Sequence, residues 1–560
     1  MERGSLRSLA AAFTVVLALW SAAASLDGQQ NLAGGPGYPV RGVVVNSVTG
    51  QPVSGALVEL NQDFAMLTDG SGQFSFDNVP QRTYMVAVSK PGYRGFGHPR
   101  QGIRFVSLGS VLAQLAPDRR IDVGPDMPSL SFRIMPEVSI TGQVTLSTAD
   151  PADGIRVRAY GLRIQNGRPV WDLAGTATTR SDGSFRLADL APGKYMLSTE
   201  ATLDNPDSPE RSRLPVWGFP PAYYPDSEDP NSAGNLNLAP GQQAEADFTL
   251  TRQQFFPVTV AVRSAESAAA AFEVLDSSGH PTGFSVHYDS REQVVHAVAP
   301  NGSWILEGRS YGHALGWGRT NFVVASAPAS LAIDVQSIPH IPVFIRRDFA
   351  ASDHPTGGDD PGVNLTLAPV DQFLLNGRGG YLARDPGSDG GWQLNLTQPG
   401  RYWTEVTPYS AAYVSSITSG GVDLASDPLA IEPGSSVAPI EITLRDDGGT
   451  ITGQLSASAS GGPGTATAPG DNSLHFVYAI PLFPSASQLP QATTQSDRTF
   501  SIGNLAPGSY RVVACDAPQE IDFHSPDGLS AWTGQGQTVT VAAGSAASVT
   551  LAVSSCGVAP

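Results

Sequence analysis

The chain has 560 residues, of which 60 are glycine and 45 are proline, and a formal net charge of −18. So acidic a surface repels phosphate backbones, which excludes nucleic acid as an expected partner. The chain is too long for one hydrophobic core, and its abundant Gly, Pro, Thr and Val are typical of short strands joined by tight turns.

The first 24 residues have the order of a secretory signal peptide. Arg3 and Arg7 precede an apolar run over residues 9–20, and small residues follow up to Ala24. This run is too short to span a bilayer comfortably, and no later stretch approaches the roughly 20 apolar residues of a membrane helix. We therefore expect cleavage after Ala24 and an exported chain without a membrane span. Its destination would be the periplasm, the outer-membrane surface or the extracellular space.

A bulky residue is followed ten positions later by Tyr or Trp at five places in the chain. The Tyr and Trp members lie 98 to 111 residues apart, which indicates a string of similar units. Alternating apolar residues between turn signals predict about seven short strands in each unit. The pairs are Phe74 and Tyr84, Phe185 and Tyr195, Val294 and Trp304, Trp392 and Tyr402, and Phe500 and Tyr510.

Three segments recur in the units, most legibly in the first, second and fifth. An opening strand contains a central glycine, which predicts either a β-bulge or a close backbone approach. The two residues of each ten-residue pair are interpreted as lying on the two strands of a hairpin. A D-G turn precedes the first strand, a P-G turn connects it to the second, and both aromatic rings face one core. A last hairpin, turned around Gly, leads to the next unit. No segment has convincing helical periodicity, and residues 264–275 come nearest.

We predict an all-β protein of about five antiparallel Greek-key β-sandwiches in a row. The expected ranges are 1–24 for the signal peptide and then 25–136, 137–254, 255–339, 340–447 and 448–560 for the sandwiches. The third and fourth sandwiches are degenerate copies, because their opening strands lack the glycine.

Further motifs in the first unit are specific. Residues 46–56 read Asn-Ser-Val-Thr-Gly-Gln-Pro-Val-Ser-Gly-Ala, and residues 90–93 read Lys-Pro-Gly-Tyr. With the repeated strand and turn motifs, they resemble the carboxypeptidase regulatory-like domain. That family is a transthyretin-like sandwich, of the carbohydrate-binding-like fold, repeated in many exported bacterial proteins. The resemblance implies a fold and no reaction.

The resemblance invites a test for a carboxypeptidase site. Metallocarboxypeptidases bind zinc partly through an H-x-x-E pair, and none of the nine histidines has Glu three positions later. The H-E-x-x-H pattern is absent as well. The chain therefore resembles several copies of the accessory domain in a row, and we expect that it is not an enzyme.

Both cysteines, Cys515 and Cys556, fall in the last unit. In an exported chain we expect them to form a disulfide that clasps the final sandwich, with a free surface thiol as the alternative.

Residues 217–225 form the most aromatic loop of the chain. Exposed rings stack on the apolar faces of sugars, so Trp217, Phe219, Tyr223 and Tyr224 are candidate glycan contacts. The alternative is a structural brace over the sandwich end, since related sandwiches often have a Tyr-Tyr-Pro stretch at this point. The same two interpretations apply to Trp304, Tyr311 and Trp317.

Residues 308–312 match the G-x-S-x-G pattern of serine hydrolases, with Ser310 as the nucleophile and His313 adjacent. A nucleophile elbow needs a following helix, which the Gly-rich continuation cannot form, so an ordinary loop is expected. Acidic clusters at 226–229, 359–360 and 446–447 lack the spacing of a calcium loop. We therefore expect no cofactor, with weak Ca²⁺ binding as the alternative, first at the 446–447 junction.

The leading hypothesis is a non-enzymatic, exported, monomeric protein that acts as a binding and spacer module of the cell envelope or extracellular space. Its partner would be a glycan or an envelope protein. The alternatives are a polysaccharide-binding protein that uses the aromatic loops and a secreted hydrolase with an unrecognised site.

Overall fold

The structure is a computed structural model, and the residues it describes are almost all in strands or in the turns between them. They are 37–61, 63–96, 120–125, 127, 129–205, 215–264, 269–311, 315–350, 361–371, 379–385, 391–396, 398–432, 434–456, 475–494, 497–516, 518–554 and 556. The predicted signal peptide and residues 359–360 lie outside the described residues.

The strands of the first two units follow in chain order. The first unit contains β1 (Gly37–Asn46), β2 (Leu57–Leu60), β3 (Phe64–Leu67), β4 (Gln73–Pro80), β5 (Thr83–Lys90), β6 (Tyr93–Phe96), β7 (Arg120–Asp122) and β8 (Leu130–Pro136). The second contains β9 (Val138–Leu146), β10 (Arg156–Gln165), β11 (Arg168–Thr178), β12 (Ser184–Leu190), β13 (Gly193–Thr199), β14 (Thr202–Leu203), β15 (Val216–Phe219), the 3₁₀ helix η1 (Pro230–Ser232), β16 (Leu236–Leu238), β17 (Gln243–Glu245) and β18 (Phe248–Leu250).

The other three units complete the chain. The third contains β19 (Gln253–Ser264), β20 (Ala269–Leu275), β21 (Val286–Asp289), β22 (Val294–Ala299), β23 (Gly302–Tyr311), β24 (Gly316–Val324) and β25 (Ala329–Ser337). The fourth contains β26 (Ile341–Asp348), β27 (Val363–Pro369), β28 (Gly380–Arg384), β29 (Trp392–Leu396), β30 (Gly400–Pro408), β31 (Tyr413–Ser419), β32 (Val422–Asp423), β33 (Leu429–Ile431) and β34 (Ile440–Arg445). The fifth contains β35 (Gly449–Leu455), β36 (Phe476–Pro481), β37 (Gln491–Thr493), β38 (Thr499–Leu505), β39 (Gly508–Cys515), the helix α1 (Pro526–Ser530), β40 (Gln537–Val541), β41 (Ala546–Leu551) and β42 (Val553–Ser554).

The predicted fold class, tandem all-β sandwiches, is confirmed. In the second unit, one sheet has the order β11-β10-β13-β16 and the other contains β12, β9 and β17, with β18 also beside β9. The fourth and fifth units likewise have two sheets each, whereas the sheets of the first and third units join into one continuous path. Each unit encloses its own apolar core.

The first and last core strands of every unit lie side by side and run parallel. The pairs are β1 with β8, β9 with β18, β19 with β25, β26 with β34, and β35 with β41. The sequence predicted antiparallel sheets throughout, and these parallel pairs correct that prediction. Turn signals report where strands end and not which strands become neighbours, so the sequence pattern could not reveal them. Parallel neighbours need a long crossover, and here the rest of the unit supplies it.

The strands that contain the ten-residue pair do not form the predicted hairpin. In the second unit, β12 pairs with β9 and β13 with β10, in opposite sheets. In the fifth, β38 pairs with β35 and β39 with β36. The short connection is therefore a corner that takes the chain across the core from one sheet to the other. A hairpin and a corner share period-two alternation and a tight turn, so the sequence pattern does not separate them.

In all five units, the Tyr or Trp after this corner donates a hydrogen bond to the backbone carbonyl four residues earlier. Because the ring lies in or against the core, the bond fixes the corner to the core, as in the tyrosine corner of other sandwiches. The donors and acceptors are Tyr84 and Pro80 at 3.2 Å, Tyr195 and Ala191, Trp304 and Pro300 at 3.0 Å, Tyr402 and Gln398 at 2.8 Å, and Tyr510 and Ala506 at 2.7 Å.

The glycine of the opening strand permits a close approach of neighbouring atoms. Gly453 lies directly opposite Phe500, and a methyl group on it would lie 2.5 Å from Phe500 Cζ and press on the carbonyl of Val549. Gly42 and Gly142 lie opposite Phe74 and Phe185 in the same way. Of the two alternatives left open by the sequence, the close approach accounts for the glycine.

Two local elements differ from the sequence expectation. Residues 269–275, within the stretch nearest to helical periodicity, form strand β20, which pairs along its whole length with β23. The short helix α1 was not predicted, although Ser525 caps it by accepting a hydrogen bond from Gly528 N at 2.9 Å.

The units fold back on one another. Strands β14 and β15, which the sequence assigns to the second unit, join the sheet of the third unit through β19. Arg309 Nη2 donates to Gln398 Oε1 at 2.9 Å between the third and fourth units. Arg133 of the first unit lies 3.6 Å from Asp516 of the fifth. The first unit therefore contacts the last.

We expect Tyr510→Phe to destabilise the fifth unit by about 1 kcal/mol, because the carbonyl of Ala506 loses its donor while the ring keeps its packing. Hydrogen exchange of amides in β38 and β39 of the full chain measures this local stability. Tyr381→Phe is the matched control, since Tyr381 is 58% exposed. Equal protection in Tyr510→Phe and the unaltered protein would contradict the role of the corner bond.

We expect Gly453→Ala to destabilise the fifth unit by about 3 kcal/mol, because the added methyl group overpacks the site between Phe500 and β41. Gly503→Ala in the same unit is the control, since its methyl group would lie 3.8 Å from the nearest atom, Thr450 Oγ1. Scanning calorimetry of both variants compares their unfolding transitions. A Gly453→Ala protein no less stable than Gly503→Ala would show that the close approach is unimportant.

Candidate functional site

The aromatic loop lies where the second and third units meet. Trp217 lies on β15 opposite Gln254, and its side chain is 37% exposed. The guanidinium of Arg252 lies 4.8 Å from the centre of its ring and is also held by Asp204. One face of the Trp217 ring is therefore covered by an arginine, and sugar stacking would have to use the other face.

The other candidate glycan contacts are packed into the fold. Phe219 and Tyr224 lie against the core of the second unit, and the ring of Tyr224 meets Phe248 edge-on at 6.2 Å. Tyr223 is buried and donates its hydroxyl hydrogen to Asp276 of the third unit. These three side chains are engaged inside the fold, and only the bond from Tyr223 crosses to the third unit, so Trp217 has the ring best placed to meet a ligand.

Asp276 is the centre of a buried polar cluster that the sequence reasoning missed. It also accepts hydrogen bonds from the backbone of Ser278 at 2.8 Å and contacts His280 Nδ1 at 3.1 Å. Burial acts to raise the pKa of Asp276, but the bonds from His280 and Tyr223 outweigh it and lower the pKa below its usual value. Burial and the neighbouring Asp276 raise the pKa of Tyr223, so its hydroxyl stays a donor. The Asp-Ser-Ser-Gly turn at 276–279 is the sequence signal that could have indicated this cluster.

Ser310, the candidate hydrolase nucleophile, lies within strand β23 and is 7% exposed. The structure therefore places residues 308–311 in a strand and not in the expected loop, because Ser310 pairs with Gly316 of β24. Its neighbours Glu307 and Arg309 contact each other at 3.0 Å. His313 and Gly312 lie outside the described residues, as does the side chain of Tyr311.

The second aromatic set contributes to packing where the structure describes it. Trp304 meets Phe284 edge-on at 4.7 Å. Trp317 is buried in the core of the fourth unit, although it belongs to a strand of the third. The two rings therefore lie in different cores.

The two acidic clusters that the structure describes have partners within the chain. Asp229 caps η1, and Glu228 accepts a hydrogen bond from Gln253 at 2.8 Å. At the 446–447 junction, Asp447 is held by Arg445 at 2.6 Å and by the hydroxyl of Tyr413 at 3.0 Å. Within the described ranges, no group of three or more His, Cys, Asp or Glu side chains is placed to hold a metal ion. The expectation of no cofactor stays a prediction, with weak Ca²⁺ binding as its alternative.

Cys515 and Cys556 form the predicted disulfide. It joins the end of β39 to the segment after β42, and Gln519 Nε2 donates to the carbonyl of Cys556 at 2.7 Å. The last residues of the described chain are thereby attached to the fifth unit.

A second site missed by the sequence reasoning lies where three units meet. The β10–β11 hairpin of the second unit reaches the fourth and fifth units, and the guanidinium of Arg168 stacks 3.6 Å from the ring centre of Trp403. Asn166, Arg168, Glu405, Ser487 and His524 all face a cavity of about 10 Å³. Such a cavity holds about one water molecule and no organic ligand.

Burial sets the protonation of this three-unit junction. It lowers the pKa of Arg168 to about 10, with Asp522 opposing the shift. It raises the pKa of the Glu405 carboxyl, against a hydrogen bond from Gln488. It lowers the pKa of His524 to about 3, and the positive charge of Arg168 adds to that effect. Near neutral pH the imidazole is therefore uncharged.

The family comparison concerns the first unit. Residues 39–100 match the family model of the carboxypeptidase regulatory-like domain. The first unit is thus a domain of the family that the sequence motifs indicated. No curated protein matches the chain.

Several solved structures are similar over long stretches. A streptococcal ancillary pilin has 8% identity and a TM-score of 0.17, covering 53% of this chain and 99% of its own. A minor pilin of Streptococcus agalactiae has 13% identity and a TM-score of 0.17, covering 38% and 95%. A putative adhesin from Bacteroides ovatus has 9% identity and a TM-score of 0.15, covering 31% and 72%. At these TM-scores, the likenesses support no inference about what this chain does.

In the part of the chain that the structure describes, no helix has the length and apolar character needed to cross a bilayer.

We expect loss of the disulfide to destabilise the fifth unit by about 4 kcal/mol, since Cys515 and Cys556 are 41 residues apart and the bond restricts the unfolded chain. Calorimetry of the Cys515→Ala, Cys556→Ala double variant should show a lower transition for that unit alone. Reductant should lower the transition of the unaltered protein in the same way and leave the double variant unchanged. An unaltered transition in the double variant would refute the stabilising role.

Proposed function

We propose that the chain is an exported, non-enzymatic, multi-domain binding protein of the cell envelope or the extracellular space. One observation contributes most to this proposal: apart from Trp217, the described side chains that the sequence offered for catalysis or ligand binding are buried or have partners inside the fold. Ser310 lies in a buried stretch of strand, and Tyr223 is bound to Asp276. The regulatory-like domain and the disulfide support export, because disulfides persist in oxidising compartments.

The contacts between units favour a compact scaffold over an extended spacer. An extended rod of five sandwiches would keep its first and last units far apart, but Arg133 lies near Asp516. The β10–β11 hairpin also contacts the fourth and fifth units through Arg168. We therefore propose that the protein presents loops from several units on one body, as a monomer, toward a glycan or an envelope protein.

Polysaccharide binding is the second candidate function, and the exposure of Trp217 favours it. An aromatic anchor truncated at a binding site costs roughly tenfold or more in affinity. We expect Trp217→Ala to weaken retention on insoluble cell-wall glycans by roughly that factor, measured by pull-down. Tyr381→Ala is the matched control, since that exposed ring lies on the fourth unit.

The outcomes separate the candidates. Equal retention of Trp217→Ala and Tyr381→Ala would remove the glycan function at this loop. Binding to an extracted envelope protein, unchanged in both variants, would favour the leading proposal. Turnover in a peptidase and esterase screen that disappears in Ser310→Ala would overturn the non-enzymatic assignment.

A further inference from the structure

The tip of the β10–β11 hairpin is built to fit against two distant units. Gly167 has φ +70°, and a methyl group on it would run into the ring of Phe523. Both the backbone conformation and the contact therefore require glycine at this position. The tip thus lies directly against the fifth unit.

Arg168, the next residue, makes the contact with the fourth unit. Its guanidinium is half-buried and stacks on the Trp403 ring, with 3.6 Å between Cζ and the ring centre. A desolvated guanidinium on a tryptophan face is the strongest arrangement of this kind. Asp522 of the fifth unit supplies an opposite charge nearby. One arginine of the second unit therefore interacts with both of the units it meets.

The fourth and fifth units also contact each other beside the hairpin tip. Val406 N donates to the carbonyl of Ala486 at 2.7 Å, and Ala486 is buried in the core cluster of the fourth unit. The hairpin tip lies over this seam, where Ala486 and Ser487 line the small cavity with Asn166 and Arg168. Separation of the tip would thus expose the seam to water.

We propose that the tip of the β10–β11 hairpin is an acid-sensitive latch, which holds the second unit against the fourth and fifth near neutral pH and releases it on acidification. The proposal does not depend on the identity of any binding partner. It concerns the shape of the protein and the condition that changes it.

His524 is the group whose protonation opens the latch. The titratable and charged groups that face it are Arg168 from the hairpin, Glu405 from β30 and Asp522 from its own segment, which accepts a hydrogen bond from His524 N at 3.3 Å. The ring of His524 also packs on Phe523, with 4.1 Å between ring centres, and so shares the surface that contacts Gly167. A second positive charge beside Arg168 in this closed space opposes the contact.

The direction of the pH effect follows from linkage. In the closed state the pKa of His524 is about 3, and exposure to water would return it to its ordinary value near 6.5. The open state therefore binds a proton more readily, so the closed state is favoured above about pH 6.5 and weakens as the pH falls toward 3. At pH 5 the shift of the equilibrium toward the open state is roughly 30-fold. Glu405 acts in the opposite sense. Burial raises its pKa in the closed state, so the closed state binds this proton more readily and is favoured by Glu405 as the pH falls.

The latch itself is tested by small-angle scattering of the full chain at pH 7.5. We expect Arg168→Ala, and Trp403→Leu from the opposite side, to increase the radius of gyration. Arg384→Ala is the matched control, since Arg384 stacks on Trp392 at 4.6 Å between adjacent strands of one unit. Circular dichroism establishes that the sandwiches remain folded in every variant. An unchanged radius in both latch variants would overturn the proposal.

The acid response is tested by the same measurement at pH 7.5 and pH 5. We expect the unaltered protein to expand at pH 5 and His524→Gln to remain compact. Because both proteins contain Glu405, the difference between their radii of gyration reports the effect of His524 alone. His340→Gln is the control, because His340 is exposed and hydrogen-bonded to Asn395 within the fourth unit. Equal expansion of His524→Gln and the unaltered protein, or no expansion of either, would refute the acid-sensitive part of the proposal.

Discussion

The fold depends on one repeated interaction, the hydrogen bond from a core-facing Tyr or Trp to the carbonyl four residues before it. At this point the chain leaves one sheet and enters the other, so the two halves of each sandwich are positioned by a few residues. The ring lies in or against the core while its O–H or N–H group binds the corner. One side chain therefore both buries apolar surface and supplies a hydrogen bond to a backbone carbonyl. That dual requirement explains why the position is Tyr four times and Trp once, as at Tyr402 and Trp304.

The opening-strand glycine complements this corner. In the first, second and fifth units it leaves room for the Phe ring opposite and for a backbone carbonyl on the other side, that of Leu130, Ala246 or Val549. In the third and fourth units, the equivalent strand has no such glycine and the opposed residues differ, with Val294 opposite Ala261 in the third and Trp392 opposite Val343 in the fourth. The two degenerate units therefore keep the corner and vary the rest, which indicates that the corner is the stricter constraint.

Polar and aromatic side chains join the units of this chain to one another. Tyr223 binds Asp276 across one joint, Arg309 binds Gln398 across another, and Arg168 meets Trp403 at the three-unit junction. A string of small domains with such joints has a defined arrangement, and the proposed latch makes that arrangement depend on the protonation of His524.

The sequence by itself determined the all-β class, the tandem repetition of similar units, the disulfide between Cys515 and Cys556, and the burial of paired aromatics such as Tyr84, Tyr195 and Tyr402. Each of these depends on local alternation, turn residues or the count of cysteines. Only the tertiary structure decided that Phe185 and Tyr195 lie on opposite sheets, that the first and last strands are parallel, and that Trp317 enters the core of another unit. It alone also brought Arg168, Glu405 and His524 together, because contacts between residues far apart in the chain leave no periodic pattern in it.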